Sequence, residues 1–290
     1  MAMAPTLSTG EQAQRLIAVQ LTRLRSLRSH VLQDDDPEAL HQFRVSLRRL
    51  RSLISQFEAA LELPQRLKRS RIAALARATG DCRDADVLRE QLEQRLLPRL
   101  PASDHQSCRP LLRQLQRQRR RAFRQLETAL RSQRCRNLLK QLEQWTVAPR
   151  TTCLGQQPLE AWLPEWRLAS SSCCFLQAGW FASDPDDPAL HALRKRVKEV
   201  RYGMESLHEW LGEEGAHWIS DLRSVQSCLG DLHDQQVLIL LVQPQGRAHR
   251  GLRQALEQER QERWLQWLQL RDALLQPQRR HGLLRLQLPA

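Results

Sequence analysis

Two sets of side chains in this sequence have types and spacing suited to holding anions. His41, Arg44, Arg48 and Arg51 form the first set, and His191, Arg194, Lys198 and Arg201 form the second, each residue 150 positions after its counterpart. On a helix turning about 100° per residue, the first set falls within a stripe about 80° wide. It runs along about 15 Å of axis at the helical rise of 1.5 Å. Guanidinium forks engage two oxygens at once, so such a row suits a ligand that repeats phosphate groups. One isolated charged helix face would simply be solvated. The same order of one His and three long cations, kept twice at one helical phase, points to a site.

The elements that must carry these stripes are helices. Asp36 and Pro37 supply an N-cap and a first helical residue. Leu40, Phe43, Leu47, Leu50, Ile54 and Phe57 then share an apolar face beside the basic one. Downstream, Leu190, Leu193, Val197, Val200, Met204 and Leu207 repeat that face. A second pair of segments shares the offset of 150: Gly80 to Leu88 reads GDCRDADVL, and Gly230 to Leu238 reads GDLHDQQVL. Two motifs sharing one offset indicate a duplicated unit.

Along the chain, apolar periodicity predicts helices over residues 11–33, 37–57, 65–97 and 106–145, the last bent near Ser132. Residues 148–158, APRTTCLGQQP, read as a linker, giving an N-terminal half over 1–148 and a C-terminal half over 159–290, with 149–158 between them. The second half reads as helices over 159–181, 187–207, 216–242 and 251–276, with a turn near Gly246. Strand signals are nearly absent. The expected fold is therefore all-α, with two helical-bundle units related by duplication. A duplicated bundle most simply packs about a pseudo-two-fold axis, which would bring the basic stripes together.

Lys and Arg outnumber Asp and Glu by 45 to 32, a formal charge of +13, which favours a polyanionic partner. The longest purely apolar run, Val237 to Val242, is too short to span a membrane, and residues 1–12 lack the layout of a signal peptide. Seven cysteines without a C-x-x-C pair suit reduced thiols in a cytoplasmic protein. Aromatic residues make up only 5% of the chain, so the stacking platform that single-stranded nucleic acid needs is missing from the stripes, where Tyr202 is the sole ring.

At the motifs LHQFRVSLRRLRSLISQF, GDCRDADVL, LHALRKRVKEVRYGMESL and LGDLHDQQVL, the chain resembles the CHAD family, the conserved histidine α-helical domain. The resemblance covers about residues 12–275. It implies two four-helix units in pseudo-two-fold symmetry with a basic channel between them. It also implies binding of inorganic polyphosphate, with polyphosphate granules as an expected location.

Carried over by position, His41, Arg44, Arg48 and Arg51 line one wall of that channel. His191, Arg194, Lys198 and Arg201 line the other, with Tyr202 beside them, and Arg83, Asp84, His233 and Asp234 support them. The copies differ where Ser52 faces Tyr202, Arg49 faces Glu199, Asp86 faces Gln236 and Arg83 faces His233. No E-x-E-x-K signature of the triphosphate-tunnel domain often fused to this family is present.

Other chemistries remain to be weighed. His41 and His191 as metal ligands would each stand alone among repelling arginines, and a buried histidine bonded to a carbonyl is a further option. The motif aspartates read either as Mg²⁺ or acid–base groups, or as carboxylates that orient arginines of a facing helix. The sequence holds no P-loop and no nucleophile elbow, and the His233-Asp234 pair lacks further histidines. The expectation is a polyphosphate-binding module that is not an enzyme and needs no metal or cofactor. Non-specific nucleic-acid binding and metal-dependent hydrolysis of phosphate polymers are the alternatives.

Overall fold

The structure, a computed structural model, describes residues 7–64, 67, 69–242 and 249–284, with the backbone alone for 102, 103 and 284. All regular structure among them is helical. The helices are α1 (Thr9–Gln33), α2 (Pro37–Gln56), α3 (Arg69–Ala78), α4 (Gly80–Glu90), α5 (Ala102–Arg131) and α6 (Gln133–Val147). They continue with α7 (Leu159–Phe175), α8 (Pro188–Ser206), α9 (Gly212–Val242), α10 (Arg250–Leu275) and α11 (Pro277–Leu284).

The chain divides into two compact units, and neither is one continuous stretch. The first comprises Met1–Arg89 with Gln114–Trp162, and the second Glu90–Arg113 with Leu163–Ala290. The division therefore does not fall at the expected linker. Residues 149–158 belong to the first unit, where Thr151 bridges to Leu61 and Pro158 to Ser8. Thr9 N–H also donates to the Gln157 carbonyl at 2.9 Å. Backbone groups satisfied in this way make the segment an ordered part of its unit.

In the first unit α2 packs on α1 and α3, and α6 packs on α1. In the second, α9 lies between α8 and α10. Every apolar position expected on the two stripe-bearing helices is buried, including Phe43, Leu50 and Phe57 on one and Leu193, Val197 and Leu207 on the other. Burying each such side chain contributes about 1.5–3 kcal/mol, which fixes the rotation of the helix and hence the direction of its basic edge.

Their starts and stops are alike. The Asp36 carboxylate accepts from Glu38 N–H and the Asp187 carboxylate from Ala189 N–H, each at 2.8 Å, with Pro37 and Pro188 opening the first turns. Short 3-10 turns, Glu58–Ala60 and His208–Trp210, follow α2 and α8.

Several boundaries differ from the periodicity reading. The expected helix over 65–97 breaks at Thr79 into α3 and α4, and α4 then loosens into a π-helical segment, Gln91–Leu96. Its expected first residue and the turn near Gly246 lie outside the described residues. The bend at Ser132 is a full break, because the Ser132 hydroxyl accepts from Cys135 N–H at 3.2 Å and caps α6. The helix expected over 159–181 ends at Phe175, where Trp180 turns back and its indole donates to the Cys174 carbonyl at 2.7 Å. Pro277 opens a further helix, α11, held against α9 where Arg279 pairs with Glu214 at 2.9 Å and Asp221 at 2.6 Å.

Candidate functional site

On α2 the core positions Leu40, Phe43, Leu47 and Leu50 leave His41, Arg44, Arg48 and Arg51 half-buried along one edge. Arg44 is the joint between this edge and the acidic motif. Its guanidinium donates to the Ala76 carbonyl at 3.1 Å and to the Thr79 hydroxyl at 3.2 Å, and approaches the Asp84 carboxylate at 3.7 Å. Ala76 lies in the last turn of α3, where carbonyls lack helical partners, so the cation satisfies a helix end as well as facing a carboxylate. The guanidinium passes over Gly80, where a Cβ would stand 3.4 Å from it, in ordinary contact.

The second unit builds the same contact. Arg194 lies over Gly230, where a Cβ would come within 3.0 Å of its Nη2. Beside it, the imidazoles of His191 and His233 stand with centroids 5.1 Å apart and planes inclined by 42°. In the first unit Arg83 takes the place of His233 and acts on His41. Burial, and then the charge of Arg83, holds His41 below the ordinary histidine range. Burial, and then Lys195, His233, Arg194 and Lys198, does the same for His191.

Lys195 was not among the residues expected. It sits four residues after His191 on the same side of the helix, but the residue 150 positions earlier is Val45, so the shared offset does not reveal it.

Arg201 and Tyr202 are where the expectation needs correcting. Both are buried, at 7% and 8% exposure, so neither lies on the open edge. The Arg201 guanidinium pairs with Glu205, donates to the Gln226 side chain at 3.1 Å and lies 4.5 Å from the Tyr202 ring centroid. Arg223 reaches the same Glu205 at 3.2 Å. Arg201 stands at the stripe margin next to the core face, and here that margin turns toward α9. Its role is to fasten α8 to α9. Lys198 remains half-exposed.

The motif aspartates mostly orient arginines, although chiefly those of the long helices. Asp86 and Asp34 both accept from Arg119 of α5, Asp86 at 3.0 Å. Asp231 pairs with Arg263 of α10 at 3.2 Å, and Asp234 accepts from Gln91 of the π segment at 3.2 Å. Where Gln236 replaces the acid of Asp86, the amide itself donates to Asp186 at 2.7 Å, and Arg260 pairs with that same carboxylate. An amide in place of an acid therefore keeps a link to the loop before the basic helix, with donor and acceptor exchanged. Arg119 and Arg260 carry no signal in the repeat, since their partners come from distant segments.

Among the described residues, no group of three His, Cys, Asp or Glu side chains gathers as around a metal ion, and no helix is long and apolar enough to cross a membrane. Burial pushes the Cys82 and Cys174 thiols up to about 12 and that of Cys228 up to about 11, so at neutral pH they stay protonated.

The profile of one protein family, described as the CHAD domain, matches residues 15–243. Two uncharacterized proteins from strains of Mycobacterium tuberculosis are 28% identical over 229 residues, covering 77% of this chain and 43% of theirs. The chain thus spans less than half the length of these curated relatives. Among solved structures, the CHAD domain from the plant Ricinus communis superposes with a TM-score of 0.64 at 23% identity, covering 100% of this chain and 97% of that one. PptA from Streptomyces chartreusis gives 0.63 at 18% identity, over 91% and 99% of the two chains. At these identities the likeness establishes the helical fold.

Proposed function

The chain belongs to the CHAD-domain family, and from that premise we propose that it binds inorganic polyphosphate through the basic edges of α2 and α8. The observation that carries the reading is the contact built twice: Arg44 over Gly80 and Arg194 over Gly230. In each case a long cation is held at the edge of a helix that keeps further cations at least partly open beside a histidine, Arg48 and Arg51 on α2 and Lys195 and Lys198 on α8. The contacting set is His41, Arg44, Arg48 and Arg51 on α2, with His191, Arg194, Lys195 and Lys198 on α8. Arg83, Asp84, His233 and Asp234 position or extend it, whereas Arg201 and Tyr202 support α8 from within.

Polyphosphate is a flexible chain of repeated anionic groups with no bases, so repeated cations without stacking rings suit it. The two edges are taken as copies of one duplicated unit, each offering phosphate donors. The protein acts as a storage, localisation or sensing module in the cytoplasm or at polyphosphate granules, without catalysis of its own.

A second reading draws on a different surface. Arg117, Arg120, Arg121 and Arg124 of α5 are exposed, and no acid lies between Asp104 and Glu127. Such a row would attract any polyanion, nucleic acid included. One competition assay separates the readings. Labelled long-chain polyphosphate is displaced by RNA at equal phosphate concentration, with and without Mg²⁺ or Mn²⁺. Weak displacement and no released orthophosphate support polyphosphate binding. Equal displacement would favour the nucleic-acid reading, and metal-dependent orthophosphate release would mark a hydrolase.

A further inference from the structure

We propose that His191 and His233 form a phosphate subsite that takes up protons as it fills, so that the α8 edge, unlike the α2 edge, binds its anion more tightly as the solution becomes more acidic. This rests on the reading of the α2 and α8 edges as phosphate-binding.

The geometry is a close pair of imidazoles inside a cationic cluster. The ring centroids stand 5.1 Å apart, one on α8 and one on α9. From α8, Arg194, Lys195 and Lys198 act on His191. From α9, the charged neighbours of His233 in the motif are Asp231, which pairs with Arg263 at 3.2 Å, and Asp234, which accepts from Gln91 at 3.2 Å. The carboxylate of Asp186, before α8, is engaged by Arg260 and Gln236. Asp187 caps the first turn of α8. The 3-10 turn Ala178–Phe181 that also packs on α8 contains no charged residue.

The cluster therefore disfavours a proton on His191: burial and the surrounding cations oppose it, and the ring of His233 stands beside it. A phosphate group reverses the balance. Its oxygens accept from imidazolium N–H groups, and its charge offsets that of Arg194 and Lys195. Protons enter from solvent as the ligand arrives, and linkage makes affinity rise as pH falls toward the lowered range of the free His191.

In the first unit the position of His233 is held by Arg83, which keeps its charge across this range, so His41 faces a fixed cation and not a second titrating ring. Apart from Lys195 in place of Val45, the two units differ here in whether the neighbour of the stripe histidine is itself an imidazole.

The test is calorimetric titration of the full chain with long-chain polyphosphate between pH 6 and 8, in buffers of different ionisation enthalpy, which counts protons taken up per binding event. Wild type should take up protons and lose affinity several-fold across that range. His233→Arg, which installs the group of the first unit, should bind at least as well at pH 8 with lower uptake and a flatter profile, and His233→Gln should also lower the uptake. Imidazole resonances of unmodified protein provide a reading that needs no variant, and polyphosphate should shift the titration of His191 upward. Polyphosphate binding with unchanged proton uptake in both variants, or an unmoved His191 titration in wild type, would overturn the proton-coupled pair while leaving the binding edges standing. No binding by wild type at any pH would overturn both.

Discussion

Arg44 of α2 donates to the Ala76 carbonyl, 3.1 Å away in the last turn of α3, and to the Thr79 hydroxyl at 3.2 Å. A residue chosen by its place in a basic stripe thus also closes the junction between α3 and α4. Its removal takes a charged donor from two acceptors that keep their own bond, the Thr79 hydroxyl to the Ala76 carbonyl at 2.7 Å, at a cost of about 1–2 kcal/mol. Arg44→Met should lower unfolding stability by that amount, whereas Arg51→Met, on the half-exposed edge, should change it by no more than about 0.5 kcal/mol. Urea denaturation of the two variants checks the difference, and equal effects would deny Arg44 its structural role.

Gly230 sits within a helix, where alanine is the better helix former by about 1 kcal/mol. A methyl group there would come 3.0 Å from the Arg194 Nη2 and push the guanidinium aside. For Gly230→Ala the thermal midpoint should hold or rise while polyphosphate affinity falls. Stability and affinity moving together would argue against a glycine kept for the approach of Arg194.

Arg201 is buried against Glu205 and Gln226. Removing Arg201 takes one cation from Glu205, which Arg223 still reaches, and leaves the Gln226 side chain without its donor, a cost of about 1–3 kcal/mol. Arg201→Ala should therefore lower stability by about that much, yet its folded fraction should bind polyphosphate nearly as wild type does. A tenfold loss of affinity in well-folded Arg201→Ala would return this residue to the contacting set.

The two stripe histidines also leave a signature in the unliganded protein. Burial and neighbouring cations depress the folded values of His41 and His191. The unfolded chain, titrating near 6.5, takes up those protons first. Stability is therefore full above pH 6.5 and is lost as pH falls through it toward the depressed folded values. Thermal midpoints between pH 8 and 5 should decline, and the decline should be smaller in His41→Gln. An identical profile in that variant would contradict the assignment.

The stripe-bearing helices were legible because their apolar periodicity and caps are local properties. Leu40 through Phe57 and Leu190 through Leu207 are buried where the pattern places them. What stayed hidden depends on partners far away in sequence. Asp34 and Asp86 meet through Arg119, residues 90–113 join the second unit, and the linker segment pairs with Leu61. Arg201 shows the limit of a helical wheel. It shares its stripe position with Arg51, yet on α8 that margin meets a carboxylate, an amide and an aromatic ring, which the wheel does not show.

The central claim is that the edges of α2 and α8, and not basic charge in general, hold the polymer. The most direct measurement compares polyphosphate affinity, over a series of salt concentrations, for two full-length variants. One carries Arg48→Gln, Arg51→Gln, Lys195→Gln and Lys198→Gln; the other carries Arg117→Gln, Arg120→Gln, Arg121→Gln and Arg124→Gln. The first should lose at least about tenfold in affinity, and its salt dependence should flatten by about 0.7 per cation removed from contact, as for single-stranded polyanions. The second should stay within a few-fold of wild type. Equal losses in both, or a greater loss in the α5 variant, would contradict the account.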